Sequence, residues 1–252
     1  MAMRQMPRLF VDTPLAEGAE VELPDAAGHY LRAVLRLEAG APLQLFDDRS
    51  GEWLAEVGEM SKRRVTARIK TRRRPRETPP DLWLLAAPIR PERFQWLAEK
   101  ATELGVARFV PVLTERVNHA RQNVARLRAH MVEAAEQCGR TALPELAAAA
   151  ALPELLAHWP AGRALYFADE EGGEAMTALR PAFPAAILIG PEGGFSAAER
   201  TRLLAQPMVR RLALGPRVLR ADTAAVAAIA QLQLLAAESG WRAALPPAKA
   251  GA

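Results

Sequence analysis

Apolar positions fall into two textures along the chain, and the change between them comes at Thr71–Pro80. Before it, short apolar runs at Arg8–Val11, Glu20–Leu23, Pro42–Phe46, Glu52–Val57 and Val65–Lys70 are punctuated by Gly, Pro and Asp, which predicts a small β-rich domain. One segment there is different: in Gly28–Leu37, Leu31, Val34 and Leu35 recur at helical spacing, predicting an amphipathic helix with Arg32 and Arg36 on its exposed side. After the break, compact runs at Leu82–Ile89, Arg108–Leu113, Arg163–Ala168, Ala185–Gly190 and Val209–Leu214 alternate with helical stretches, the pattern of an α/β domain with a mainly parallel sheet. Pro91 suits the first turn of one helix and Gly105 its stop; a second helix, Gln122–Cys138, also ends in glycine. The prolines and charges of Thr71–Pro80 place a junction between predicted domains at residues 1–73 and 80–243. No internal repeat points to a solenoid.

Composition narrows the class. Half of the residues are hydrophobic and 25% are charged, so the chain is expected to fold as a globular protein. No apolar run approaches the length of a membrane span or a signal peptide, and Cys138, the one cysteine, cannot form an intramolecular disulfide. These features predict a soluble protein of the reducing cytoplasm. His29, His119, His130 and His158 lack metal-ligand spacing, so no metal is expected. The net charge is only +4, but Lys62–Arg76 holds nine Lys or Arg and no acid, which favours a polyanionic partner.

Two strand–loop–helix turns carry the candidate chemistry. In the first, the run Ala185–Ile189 enters Gly190-Pro-Glu-Gly-Gly-Phe-Ser196, and Ser196 with Glu199 forms a capping-box pattern that fixes the helix start. In the second, Val209–Ala213 enters Leu214-Gly-Pro-Arg-Val-Leu-Arg220, and Asp222 or Thr223 is placed to cap an alanine-rich helix running toward Gly240. Loops at the carboxyl ends of parallel strands are where open α/β sheets bind ligands, and Gly190, Gly193 and Gly194 allow a flat ligand to approach the backbone. Neither loop has the Gly-Lys-Ser/Thr ending of a phosphate loop or the spaced glycines of a dinucleotide fingerprint. Nucleotide hydrolysis and hydride transfer are therefore disfavoured.

Ile189–Ser196 together with Leu214–Arg220 resembles the signature of the 16S rRNA uridine-N3 methyltransferase family, within the SPOUT (trefoil-knot) superfamily. The resemblance spans nearly the whole chain, through Pro7-Arg8, Val34-Leu-Arg36, Glu99-Lys100, Glu103-Leu-Gly-Val106, Pro111, Thr114-Glu-Arg116, and Glu136-Gln-Cys-Gly-Arg140 with Pro144. It implies an N-terminal PUA-like RNA-binding β-barrel, a catalytic domain with a deep trefoil knot, and a homodimer. It also implies that S-adenosylmethionine is bound bent by Phe167, Ile189, Gly190, Pro191, Glu192, Gly193, Gly194, Leu214, Gly215, Val218, Leu219, Arg220 and Ala224. One departure is visible: where the family has Glu before the Thr that follows Leu-Arg-x, this chain has the shorter Asp222.

Methyl transfer from a sulfonium is an in-line displacement, so alignment and exclusion of water matter most. The N3 proton of uracil must also leave, which assigns Arg220 to stabilising the anion and Asp222, otherwise a helix cap, to accepting the proton. Glu192 is read as orienting its loop by accepting backbone N–H bonds, and Cys138 as a small buried residue and not a nucleophile. Arg4, Arg8, Arg32, Arg36, Lys62, Arg63, Arg64, Arg72 and Arg217 are the expected contacts to 16S rRNA of the small ribosomal subunit. Two other readings stay open: a non-enzymatic rRNA-binding assembly factor, and a SPOUT enzyme acting on another RNA or on ribose 2′-O.

Overall fold

The computed structural model describes residues 6–62 and 64–238. The chain forms two compact units: one runs through Thr78 and takes in Ala135–Leu143, and the other comprises Pro79–Ala134 and continues from Pro144.

The first unit contains β1 (Arg8–Phe10), β2 (Glu20–Glu22), α1 (Asp25–His29), β3 (Pro42–Asp47), β4 (Gly51–Met60) and β5 (Val65–Arg74). They form one five-stranded sheet in the order β1-β3-β4-β5-β2, antiparallel except for the β1–β3 pair. Inward residues Leu43, Leu45, Ala55, Val57, Ala67 and Ile69 build its core. At the β3–β4 turn, the buried carboxylate of Asp47 accepts from the backbone N–H of Leu15 (2.7 Å), Arg49 (3.0 Å) and Gly51 (3.1 Å), so one side chain fixes the hairpin and the incoming chain.

Two sequence expectations change here. The helix placed at residues 28–37 begins earlier, at Asp25, and passes into a π-helical turn, Tyr30–Val34. That wider turn buries Leu31 but leaves Val34 59% exposed, so Val34 is not part of the apolar face. The expected linker from Thr71 is strand as far as Arg74, because Trp53 pairs with Arg72 and Glu52 with Arg74 across a local irregularity.

The second unit contains β6 (Leu82–Ala86), α2 (Pro91–Glu103), β7 (Arg108–Leu113), α3 (Val124–Cys138, whose last turn belongs to the first unit), β8 (Glu145–Leu146), β9 (Ala150–Ala151), α4 (Leu152–Ala157), β10 (Ala164–Ala168), β11 (Glu174–Ala175), α5 (Met176–Leu179), β12 (Ala185–Ile189), α6 (Ala197–Leu204), β13 (Val209–Ala213) and α7 (Ala221–Glu238). The order β11-β13-β10-β12-β6-β7-β8, with β9 added to β7, is parallel throughout. All five residues of β12 are buried, as a central strand covered on both faces requires. One face carries Leu84, Ile187 and Ile189 against residues of α2 and α7; the other carries Leu85, Leu188 and Phe167 against Leu152, Leu156 and Leu203. The predicted helix stop at Gly240 lies outside the described residues. Among the described residues, no helix is long and apolar enough to cross a membrane.

Candidate active site at the carboxyl ends of the parallel strands

In the sheet, β10 lies between β12 and β13, so the two loops singled out in the sequence leave the sheet on either side of it. The first loop is closely packed. Gly194 closes a turn by donating its N–H to the Pro191 carbonyl (2.9 Å) at φ +65°, where a side chain would be strained. A Cβ on Gly190 would come within 2.7 Å of the Phe195 ring, and one on Gly194 within 2.5 Å of Glu170 Oε1. The Phe195 ring packs edge-on against Phe167, with centroids 5.1 Å apart.

The helix after this loop starts where the capping-box pattern places it. Glu199 N–H donates to Ser196 Oγ (3.1 Å), and Ser196 N–H donates to Glu199 Oε2 (2.9 Å). The remaining Glu199 oxygen accepts from Glu115 N–H (2.8 Å), and the Arg116 guanidinium donates to the Gly193 carbonyl (2.8 Å). The segment after β7 therefore holds the glycine loop from a second side. That was not legible in the sequence: Glu115 contributes a backbone N–H, and Arg116 a bond to a carbonyl. Glu192, read as the loop's orienting carboxylate, is exposed; Glu199 does that work.

Substituting Gly190 by alanine is expected to destabilise the protein by about 1–3 kcal/mol through overpacking against Phe195. A denaturant titration alongside the Gly215→Ala variant checks this. Gly215 has nothing within 4 Å of its virtual Cβ, so its penalty comes only from its φ of +119°.

The second loop is open. Gly215, Pro216, Arg217, Val218 and Arg220 are exposed, Val218 to 85%, while Leu214 and Leu219 are half-buried against the core. The Ala224 N–H donates to the Arg220 carbonyl (2.8 Å), which begins α7. Asp222 therefore lies inside the first turn and does not cap it. Its carboxylate is buried and accepts from Arg93 Nη2 on α2 (2.6 Å) and from the Thr223 N–H (2.8 Å). Arg93 was missed because 129 residues separate the pair. Of the expected cofactor residues, Phe167, Ile189, Pro191 and Ala224 have buried side chains, so Phe167 supports the loop from beneath.

A cleft of about 300 Å³ lined by Trp83, Leu85, Arg108 and Val110 of β6 and β7 and by residues of and after α4 includes no residue of either loop. Among the described residues, no group of three His, Cys, Asp or Glu is placed to hold a metal ion.

A family model described as "RNA methyltransferase domain" matches residues 76–233, and one described as "RNA methyltransferase PUA domain" matches residues 23–70. This chain belongs to the RNA methyltransferase family. Among its relatives is the Ribosomal RNA small subunit methyltransferase E of Rickettsia conorii, 31% identical over 90% of this chain and 95% of that protein. The protein of the same name from Neisseria gonorrhoeae, solved bound to S-adenosyl methionine, aligns with a TM-score of 0.81 and 29% identity over 92% of this chain and 98% of that one. A Legionella pneumophila protein solved in complex with the cofactor SAM aligns at 0.83 and 30% identity, over 92% and 98%.

For a member of this RNA methyltransferase family the placement of the cations matters, and the sequence expectation is corrected in part. Arg8 is not a surface contact: its Nε donates to buried Glu52 (2.6 Å), its other nitrogens donate to the Ala135 (2.8 Å) and Arg140 (2.5 Å) carbonyls, and its guanidinium stacks on Phe46. Arg32 is tied to the Ser61 carbonyl, and Arg64 pairs with Glu22 (3.1 Å) and Glu59 (3.5 Å). Part of the basic run is paired within the protein: Lys70 pairs with Glu56, Arg74 with Glu52 and Arg76 with Asp48, while Lys62, Arg68, Arg72 and Arg73 are exposed. Arg36 and Arg217 are exposed; Arg4 and Arg63 lie outside the described residues. Cys138, expected to be buried, is exposed.

Proposed function

We propose that this protein transfers the methyl group of S-adenosylmethionine to N3 of a uridine in 16S rRNA of the small ribosomal subunit. The observation that carries this reading is the pair of glycine-bearing loops flanking β10, one rigid and one open with exposed Arg220 beside it, in a chain whose relatives match it nearly end to end. The residues present fit the cofactor. Open space at Gly215 and the exposed apolar side chain of Val218 can face a purine ring, and exposed Gly193 has no side chain to keep a ligand from the loop. Bound there, the cofactor supplies an electrophilic methyl group on sulfur.

The chain supplies the rest. The Phe195–Phe167 contact, the Glu199 capping box and Arg116 fix the first loop, so little ordering is left for the moment of binding. Arg220, exposed to solvent, stabilises the uracil anion as the N3 proton departs to water. Asp222, already engaged by Arg93 and the Thr223 N–H, ties the first turn of α7 to α2. The target atom lies on the pairing edge of the base, so the uridine must be unpaired or extruded to reach the site. Two further parts of this reading are a trefoil knot and a cytoplasmic homodimer. The exposed apolar side chains of Trp96 and Leu234 on the catalytic unit support the dimer.

The test is transfer of tritium from labelled S-adenosylmethionine to small subunits lacking their native modification, with large subunits as control. Label in small subunits alone is expected; tight small-subunit binding without transfer would favour a non-enzymatic clamp. Reversing Lys62 and Arg72 to glutamate is expected to weaken subunit binding and to make the slope of log K against log salt shallower by about 1–2, with cofactor affinity unchanged. Filter binding across a salt series measures it.

A further inference from the structure

We propose that Asp169 is a positioning residue that holds both cofactor loops in register, acting through Arg200 on one side and Arg211 on the other; this rests on the cofactor reading above. Asp169 is the first residue beyond β10, the strand between the two that carry the loops. Its N–H donates to the Leu212 carbonyl on β13 (3.2 Å), which ties the backbone there. Its side chain is 2% exposed. One carboxylate oxygen accepts from Arg200 Nη2 (3.0 Å) and Arg211 Nε (2.8 Å); the other faces Arg200 Nε (3.3 Å) and accepts the Glu171 N–H (3.1 Å).

The two arginines stand on the supports of different loops. Arg200 is on α6, and its N–H donates to the carbonyl of the capping residue Ser196 (2.9 Å), where the first loop ends. Arg211 is on β13, three residues before Leu214, where the second loop begins. Glu171 adds a second carboxylate to Arg200 (3.1 Å), and Glu170 lies against Gly194. Burial pushes the Asp169 carboxyl upward, but the two guanidiniums more than offset it and hold it below the usual carboxylate range. A single ionised group thus joins two loops that the sequence separates, and each arginine can be removed without touching the other arm.

Binding of S-adenosylhomocysteine by calorimetry and amide exchange over residues 190–196 and 214–220 test this together. In Asp169→Asn the dissociation constant is expected to rise about tenfold or more and exchange to rise in both loops, with small-subunit affinity unchanged. In Arg200→Gln exchange is expected to rise only in the first loop, and in Arg211→Gln only in the second. Unchanged cofactor affinity in Asp169→Asn, or exchange rising evenly across the sheet, would overturn the proposal. If Asp169→Asn does not fold, the loop-selective pattern of the arginine variants decides. Should the wild-type protein bind no S-adenosylhomocysteine, the cofactor reading fails, while the exchange patterns still report whether the clamp exists.

Discussion

Replacing Arg220 with alanine is expected to lower kcat by about 10²- to 10³-fold, the loss seen when one hydrogen-bond donor to a developing anion is removed. Arg220 is exposed at the mouth of the open loop and its carbonyl begins α7, so the side chain can be cut back without disturbing the backbone bond that fixes the helix. Lysine at this position keeps the charge but not the planar fork, and should recover part of the rate. Asp222→Asn is the informative contrast. Its carboxylate is already engaged by Arg93 and the Thr223 N–H, so it is expected to lose less than about tenfold, below the roughly 10²- to 10⁴-fold of a general base. Single-turnover rates with saturating small subunits separate the two. A larger loss at Asp222 than at Arg220 would make the carboxylate the proton acceptor and reverse the assignment.

The largest stability effect is expected in the first unit, at Glu52. Its buried carboxylate is shared by Arg8 (2.6 Å) and Arg74 (3.0 Å), so alanine leaves two poorly solvated guanidiniums without their counter-charge, at a cost of about 3–5 kcal/mol. Burial raises the Glu52 carboxyl, but the hydrogen bonds from Arg74 and Arg8 outweigh it and leave the group below its ordinary value; Asp47 is depressed in the same way by the donors of its turn. Both groups bind protons more weakly folded than unfolded. Their stabilisation is therefore fully present above the unfolded value, about 4, and is lost as pH falls through the folded values. Urea midpoints between pH 7 and pH 3 should fall steeply in wild type and less in Glu52→Ala. Equal slopes would show that Glu52 does not carry the acid sensitivity.

What could be read from the sequence was whatever is local. Strand and helix alternation, the capping box at Ser196 and the two glycine-bearing loops all depend on residues within a few positions of one another. What the sequence did not disclose depends on distant pairs. Arg8 looked like an RNA contact because a cation near the terminus of a basic protein is usually solvated, whereas Ala135–Leu143 returns to the first unit and supplies carbonyls to it. Asp222 looked like a cap or a base because Arg93 is far away in sequence, and Asp169 did not stand out because its two partners lie 31 and 42 residues on. The π-helical turn at Tyr30 was invisible because hydrophobic spacing cannot distinguish it from an ordinary helix.

Nucleoside analysis of the methylated rRNA tests the central claim most directly. After transfer to small subunits lacking their native modification, digestion and mass-resolved chromatography should recover the label as 3-methyluridine, from one position only and dependent on Arg220. Label recovered on a ribose, or on a base other than uridine, would contradict the proposed reaction even if cofactor and subunit both bind.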